Sequence, residues 1–245
     1  MITDLVLVRH GESTANVERE RAEAGGSDVI EIGGRDADVP LSGLGRRQAV
    51  ETGRALSRVF SAGSTTVWSS PYERARRTAE VALAAAGSAA PVRLDERLRD
   101  RELGIVDALT RAGVAHRHPQ EAERRRLLGK FYYRPPGGES WADVALRLRS
   151  LLRDVDHGES PASVVMFTHD AVVTLIRYVC LAMTESEVLD LAAGDPIANA
   201  SISRLRSASH GPDWTVTVYN DQQHLIVDGD DLRTLHPGEP HVHPA

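Results

Sequence analysis

Two histidines and two arginines in this 245-residue chain stand where a phosphoryl group could be gripped and attacked. His10 lies in Arg9-His10-Gly11-Glu12, directly after the apolar run Leu5-Val6-Leu7-Val8. His169 lies in Thr168-His169-Asp170, directly after Val164-Val165-Met166-Phe167. Each run reads as a short buried strand, so each histidine sits past a strand's carboxyl end, where open α/β sheets bind ligands. Arg74 falls in the first turn of a helix opened by Ser70-Pro71-Tyr72-Glu73, a sequence that reads as a capping box with proline at the first helical position. Arginines hold phosphoryl oxygens through forked hydrogen bonds, and a helix N-terminus adds donors and positive potential. A neutral imidazole is a competent nucleophile toward phosphorus. Singly, these residues have plainer readings, as hydrogen-bonded strand-end histidines and a solvated arginine. Their similar height in one sheet is what points to a shared anion site.

The elements that must position them alternate between short strands and longer helices, the pattern of a largely parallel sheet with helices on both faces. The first strand spans about Asp4 to Arg9. Leu44 to Phe60 reads as a helix burying Ala49, Gly53, Leu56 and Phe60, followed by a strand at Thr65 to Trp68. The helix after Ser70 buries Ala75, Ala79, Ala82 and Ala86. Trp141, Val144, Leu148, Leu151 and Val155 mark another amphipathic helix, with Trp141 a core residue rather than part of a ligand site. A further helix runs from His169 through Leu181, and Ile202 to Leu205 and Trp214 to Tyr219 are strand-like, joined by a turn at Ser209 to Asp213. Three stretches break the alternation. Residues 18–37 read as a long mobile loop, 104–138 as a polar, arginine-rich excursion, and 228–245 as a polar tail. With no internal repeat and no isolating linker, one domain over 1–227 with two insertions is expected.

Composition removes several function classes. Acidic residues outnumber basic ones 35 to 29, for a net charge of −6, so a phosphate-neutralising nucleic-acid binder is not expected. No apolar run approaches bilayer length, so no membrane partner is expected either. The single cysteine, Cys180, allows neither an internal disulfide nor a cysteine-based zinc site. The first apolar run is too short for a signal peptide, which makes a cytoplasmic protein the expectation. Lys130 is the only lysine. Arg124-Arg125-Arg126 reads as a solvated helix face, and His236, His241 and His243 as parts of the polar tail rather than metal ligands.

With those residues in view, the chain resembles the histidine phosphatase superfamily, in its phosphoglycerate-mutase-like branch. The resemblance runs from Leu5 to about Leu205. It rests, in order, on Arg9-His10-Gly11-Glu12 with Asn16, on Asp38-Val39-Pro40-Leu41-Ser42 with Gly45 and Gln48-Ala49, and on Ser69-Ser70-Pro71 with Arg74 and Arg77-Thr78-Ala79. It continues through Leu98-Arg99-Asp100-Arg101-Glu102-Leu103-Gly104, Pro136-Gly137-Gly138-Glu139-Ser140, Thr168-His169 and Asn199-Ala200-Ser201-Ile202. The resemblance implies an α/β three-layer sandwich, no cofactor and no metal. It implies that His10 becomes phosphohistidine, that Arg9, Arg74 and His169 hold the phosphoryl oxygens, and that Asn16 helps at the pocket edge. Gly11, Thr168 and Asp170 join as expected substrate-binding residues.

The chain departs from the family pattern at the acid that must protonate the leaving alcohol. Relatives usually carry glutamate four residues before the motif glycine and often an acidic residue two before it. Here those positions hold Asp100 and Glu102. Aspartate is one methylene shorter, so both remain candidates, with Asp100 favoured by its place in the motif. Asp170 stands where glycine commonly follows the second histidine. It reads as a helix N-cap, or else as a carboxylate that raises the proton affinity of His169. The function expected is a metal-independent phosphatase acting on a small phosphomonoester. The alternatives are a 2,3-bisphosphoglycerate-dependent phosphoglycerate mutase and a non-catalytic phosphate-binding protein. Monomer and homo-oligomer are both compatible with the sequence.

Overall fold

The computed structural model describes residues 2–61, 65–157, 163–207 and 213–236. The expected turn at Ser209 to Pro212, and His241 and His243, lie outside them. In chain order the first half is built of β1 (Asp4–Arg9), α1 (Thr14–Ala24), α2 (Gly43–Ser61), β2 (Thr65–Ser69), α3 (Glu73–Ala85) and β3 (Val92–Leu94). Helices α4 (Arg111–Arg117), α5 (Pro119–Tyr132) and α6 (Trp141–His157) precede β4 (Ser163–Thr168). The chain continues through α7 (Asp170–Cys180), α8 (Glu185–Gly194), β5 (Ile202–Ser207), β6 (Trp214–Asp221) and the short pair β7 (Ile226–Val227) and β8 (Asp230–Asp231).

Six strands form the central sheet in the order β3-β2-β4-β1-β5-β6. The first four run parallel, and β5 and β6 add antiparallel at one edge. Every residue of β4 is buried, as a strand covered on both faces requires. Alternate side chains of the two central strands feed opposite layers. Leu5, Leu7, Val164 and Met166 pack with α6, α7 and α8 through residues such as Leu148, Leu175 and Val188. Val6, Val8, Val165 and Phe167 pack with α2 and α3 through Leu56, Phe60, Ala79 and Ala82. The result is the expected α/β three-layer arrangement. No helix among the described residues is long and apolar enough to cross a membrane.

Register carries this architecture to the site. Arg9 pairs with Thr168 across the parallel β1–β4 ladder, and Ser69 pairs with Phe167 across β2–β4. Three strands therefore end at one level. The ladder continues for one more bond on each side, from His10 N–H to the Thr168 carbonyl and from Ser70 N–H to the Phe167 carbonyl, both 2.9 Å. His10, His169 and Ser70 follow as immediate neighbours along the sheet's carboxyl edge.

The layer above this edge depends on a close helix crossing. A Cβ at Gly53 in α2 would lie 2.1 Å from the Ala82 carbonyl oxygen in α3, a backbone atom with nowhere to go. Gly53→Ala should therefore cost about 2 kcal/mol or more through forced separation of the helices. Urea unfolding checks this as a lowered midpoint at an unchanged slope; an unaltered midpoint would mean the helices slide apart freely.

Two local readings differ from the sequence. Residues 18–24 are helical, because Ser13 and Asn16 form a reciprocal capping box and Arg21 pairs with Glu18 one turn apart at 2.8 Å. Glycine and charge had masked that helix. Ser70 does not open a capping box: α3 begins at Glu73 with Tyr72 at its N-cap and no side-chain cap bond. Ser70 Oγ instead accepts from the Tyr72 N–H at 3.2 Å and lies 2.9 Å from His169 Nε2. Residues 104–138 likewise contain helices, with Thr110 capping α4 and Pro119 opening α5.

Candidate active site

The strand ends open into a cleft whose walls include Arg9, His10, Asn16, Arg74 and Asp100. His10 enters it in a fixed state. Its Nδ1 lies 2.7 Å from the Gly11 carbonyl, an acceptor only, so Nδ1 carries the proton and Nε2 is a lone pair. Burial holds the imidazole well below its usual proton affinity, reinforced by the charges of Arg74, His169 and Arg9. The ring is thus neutral near neutral pH, with Nε2 its unprotonated nitrogen. Backbone crowding secures the loop: a Cβ at Gly11 would meet the Gly45 carbonyl oxygen at 2.5 Å, and one at Gly45 would meet the Glu12 carbonyl oxygen at 2.0 Å. Only glycine at both positions lets the loop after β1 lie this close to α2.

His169 is fully buried beside it, with ring centroids 5.2 Å apart and the rings at 62°. Its Nδ1 sits 3.3 Å from Asp100 Oδ2, within ion-pair reach but outside hydrogen-bond geometry. Burial lowers its proton affinity, while Asp100 opposes that shift. Asp100 is held well below the usual carboxylate range: burial pushes its pKa up, but His169, Arg74 and the Arg101 backbone N–H outweigh that. It is therefore ionised and accepts only, so Nδ1, the His169 nitrogen that faces it, is the one that carries the proton.

The two arginines are in different states. Arg9 is held from behind: Nη1 donates to the Ile197 carbonyl and Nη2 to the His236 carbonyl, the latter at 2.9 Å. Its Nε is buried with no hydrogen-bond partner among the described residues, as is His169 Nδ1. A buried guanidinium N–H without an acceptor among the described residues, on a wall shared with His10, is a donor that an anion could satisfy. Arg74 is instead occupied. Nη1 donates to the Asp36 carbonyl at 2.7 Å and to Asp36 Oδ1 at 3.1 Å; Nη2 donates to Asp36 Oδ2 at 2.9 Å and to Asp100 Oδ2 at 3.1 Å. Asn16 takes three donors on its Oδ1, from the Ser13 amide, the Ser13 hydroxyl and Asn199 Nδ2, leaving its Nδ2 donors for a ligand.

The remaining sequence candidates divide. Asp170 lines the cleft, yet it is the first residue of α7 and not its N-cap; His169 holds that position. Its charge bears on Arg9 rather than on His169. Gly11 and Thr168 do not line the cleft. The Gly11 N–H donates to Thr78 Oγ1 at 3.0 Å, and the Thr168 hydroxyl donates to the Leu98 carbonyl at 2.8 Å. The first bond ties the His10 loop to α3, and the second ties the end of β4 to the segment before Asp100. Glu102 is also off the cleft wall, half-exposed, with Oε1 accepting from the Tyr72 hydroxyl at 2.5 Å. The arginine run at 124–126 pairs locally, as with Arg126 and Glu123 at 2.7 Å.

Several cleft residues carried no readable signal: Asp36, Asp107, Arg19 and Lys130. Burial raises the pKa of Asp107, with Asp36 and Glu102 adding to the effect. Arg19 lies one turn beyond Asn16 on α1, a spacing visible only once 18–24 is known to be helical. Lys130 follows Gly129, whose φ of 73° breaks α5, and its ammonium sits 4.4 Å from the Trp141 ring centroid. Trp141 is core, as expected, and lines the cleft as well. His236 was also missed as a site neighbour. It is buried with Nε2 3.0 Å from Glu12 Oε2 and Nδ1 3.5 Å from Glu20, and its carbonyl braces Arg9. The Leu232 carbonyl and Thr234 hydroxyl accept from Gln48 Nε2, at 2.7 and 2.9 Å, which straps this segment down behind the site.

Known proteins resemble this chain in sequence and in fold. The family model of the histidine phosphatase superfamily (branch 1) matches residues 5–222. The probable phosphoglycerate mutase GpmB of Salmonella paratyphi C is 32% identical over 235 residues, covering 89% of this chain and 93% of its own. A mycobacterial glucosyl-3-phosphoglycerate phosphatase, solved with VO3, superposes with a TM-score of 0.71 at 28% identity, over 90% of this chain and 100% of that one. The α-ribazole phosphatase of Shigella flexneri shares the fold, with a TM-score of 0.72 at 18% identity over 89% and 96% of the two chains.

Proposed function

We infer, since the chain belongs to the histidine phosphatase superfamily (branch 1), that it is a phosphatase hydrolysing a small phosphomonoester through a phosphohistidine on His10. The observation that carries this reading is a His10 whose Nδ1 faces the Gly11 carbonyl, leaving Nε2 unprotonated, in a cleft where Arg9 Nε is a buried donor without an acceptor among the described residues and His169 Nδ1 meets the Asp100 carboxylate at 3.3 Å. A phosphoryl group seated there gives Arg9 Nε an oxygen. His10 Nε2 then attacks phosphorus in line, the P–O bond to the alcohol breaks, and the alcohol takes a proton. Arg9, Arg74 and His169 offset the charge on the equatorial oxygens. In the second half, water attacks phosphorus, the P–N bond breaks, and inorganic phosphate leaves His10 as it began.

The proton comes from Asp100. Of the two acids in the motif it alone lines the cleft, beside Arg74 and His169. Its ionised state is set by those cations. A phosphoryl dianion competes for the same cations and adds negative charge nearby, which raises the carboxyl's proton affinity when a proton is needed. Substrate binding thereby arms the acid.

A mutase reading is favoured by the name of the curated relatives, which are called probable phosphoglycerate mutases. Returning the phosphoryl group to a bound intermediate requires excluding water from phosphohistidine. Purified protein should release phosphate from p-nitrophenyl phosphate with EDTA present. Supplied with 3-phosphoglycerate and 2,3-bisphosphoglycerate, it should form no 2-phosphoglycerate at a comparable rate. Isomerisation outpacing phosphate release would make the mutase reading the correct one.

A further inference from the structure

Each terminal N–H of Arg74 is already taken within the chain. Both Nη1 bonds go to Asp36, to its carbonyl oxygen and to Oδ1, and the Nη2 bonds go to Asp36 Oδ2 and Asp100 Oδ2. The Asp36 carboxylate meets the guanidinium through two parallel bonds, the same fork that arginine offers to phosphate. Asp36 lines the same cleft as His10. A phosphoryl dianion arriving there faces a neighbouring carboxylate as well as an occupied arginine. It cannot take the terminal N–H groups of Arg74 while the Asp36 carboxylate holds them.

The segment bearing Asp36 is built to let go. On one side the chain is pinned at Ile30, whose N–H donates to the Ala108 carbonyl at 2.9 Å, and by the Val29–Leu109 bridge. On the other side Val39 and Leu41 are buried, and the Pro40 carbonyl accepts from the Thr14 N–H at 3.0 Å. Between these anchors none of residues 31–38 is buried: Glu31, Gly33, Gly34, Arg35 and Asp38 are exposed, and Ile32, Asp36 and Ala37 are partly so. Gly33, at φ +68°, and Gly34 have nothing near their would-be Cβ atoms. Two unhindered glycines next to the Asp36 contact form a hinge with ample backbone freedom.

We propose that Asp36 is a built-in occupant of the phosphoryl subsite, a carboxylate that imitates phosphate on Arg74 and swings out about Gly33–Gly34 when substrate binds. This makes Asp36 a specificity-determining residue. An anion gains Arg74 only by outcompeting a tethered bidentate carboxylate, which favours a tetrahedral dianion over singly charged carboxylates. Apparent affinity is reduced by the fraction of molecules in which Asp36 has withdrawn.

Calorimetric titration of inorganic phosphate into wild type and Asp36→Ala tests this directly. Removing the carboxylate should lower the phosphate Kd about tenfold or more, because the bidentate competitor is gone and only the residue-36 carbonyl and Asp100 still accept from Arg74. Asp36→Asn, without the charge, should lower it by less. An unchanged or higher Kd in Asp36→Ala would show that Asp36 serves to hold Arg74 in place for phosphate, and would overturn the proposal. Asp36 is half-exposed on a loop, so the variants should fold, and a thermal melt verifies that. Hydrogen exchange in wild type supplies a second reading: saturation with vanadate should speed exchange across 31–38. Slowed exchange there would mean that the segment closes on the anion, contrary to the proposal. Neither result bears on the phosphatase reading, which stands or falls on turnover.

Discussion

His10→Ala should lose turnover of p-nitrophenyl phosphate by on the order of 10⁴-fold or more, and should lose acid-labile phosphate labelling altogether. The loss is that large because the histidine does not assist the transfer but accepts the phosphoryl group, and no neighbour can take over. His169 is the nearest imidazole, yet its Nε2 is engaged with Ser70 and its Nδ1 carries a proton facing Asp100. Alanine removes no hydrogen bond on which the sheet depends, since the His10 main-chain bonds to Thr168 and Ala200 stay. The variant should therefore melt near the wild-type temperature. Surviving turnover in a folded variant would sink the covalent scheme. The pH profile offers a companion check. A nucleophile must be unprotonated, and the His10 pKa is held well below 6.5, so its protonation should cost activity only far below that pH. An acid limb that sits at the ordinary histidine value and disappears in no other variant would contradict the buried environment described above.

What could be read from the chain beforehand follows from where its chemistry is placed. His10 and His169 were legible because each is the first polar ring after a run that only a covered strand can accommodate. Parallel register then sets them side by side without further instruction. Arg74 was legible for a weaker reason, its position in a helix's first turn, and the expected capping box beside it did not form because Ser70 is taken by His169 and the Tyr72 amide. Asp36, Asp107 and His236 were not legible. Their contacts span loops: Asp36 reaches Arg74 across 38 positions, and His236 reaches Arg9 across 227. No periodicity encodes such encounters, which depend on how an insertion lies over a finished sheet. The Glu18–Ala24 turn of α1 shows the opposite failure. Its cap at Ser13 and Asn16 was in the sequence, but the glycines and charges that follow outweighed it.

Asp100→Asn should separate the two roles that a carboxylate beside Arg74 could play. If Asp100 supplies the proton, the cost depends on the leaving group. An alkyl phosphate, whose alkoxide cannot depart unprotonated near neutral pH, should slow by about 10²- to 10⁴-fold. p-Nitrophenyl phosphate, which leaves as a stable phenolate, should slow far less. If Asp100 merely holds Arg74 and His169 in place, both substrates should suffer alike, because both need the same cradle. The pH dependence carries the same distinction with a definite sign. A general acid must be protonated, so alkyl phosphate turnover should fall as pH rises through the pKa that Asp100 acquires in the complex. Asparagine should flatten that basic limb at a low level. Glu102→Gln should leave both the rates and the limb largely intact, since Glu102 faces the Tyr72 hydroxyl and stands off the cleft wall. The reverse result, a leaving-group-dependent loss in Glu102→Gln with Asp100→Asn nearly normal, would transfer the acid to Glu102. It would also require Tyr72 to release that carboxylate on substrate binding. The shorter reach of aspartate is compatible with the proposed role because Asp100 already lies 3.1 Å from Arg74 and 3.3 Å from His169, the groups proposed to hold the phosphoryl oxygens.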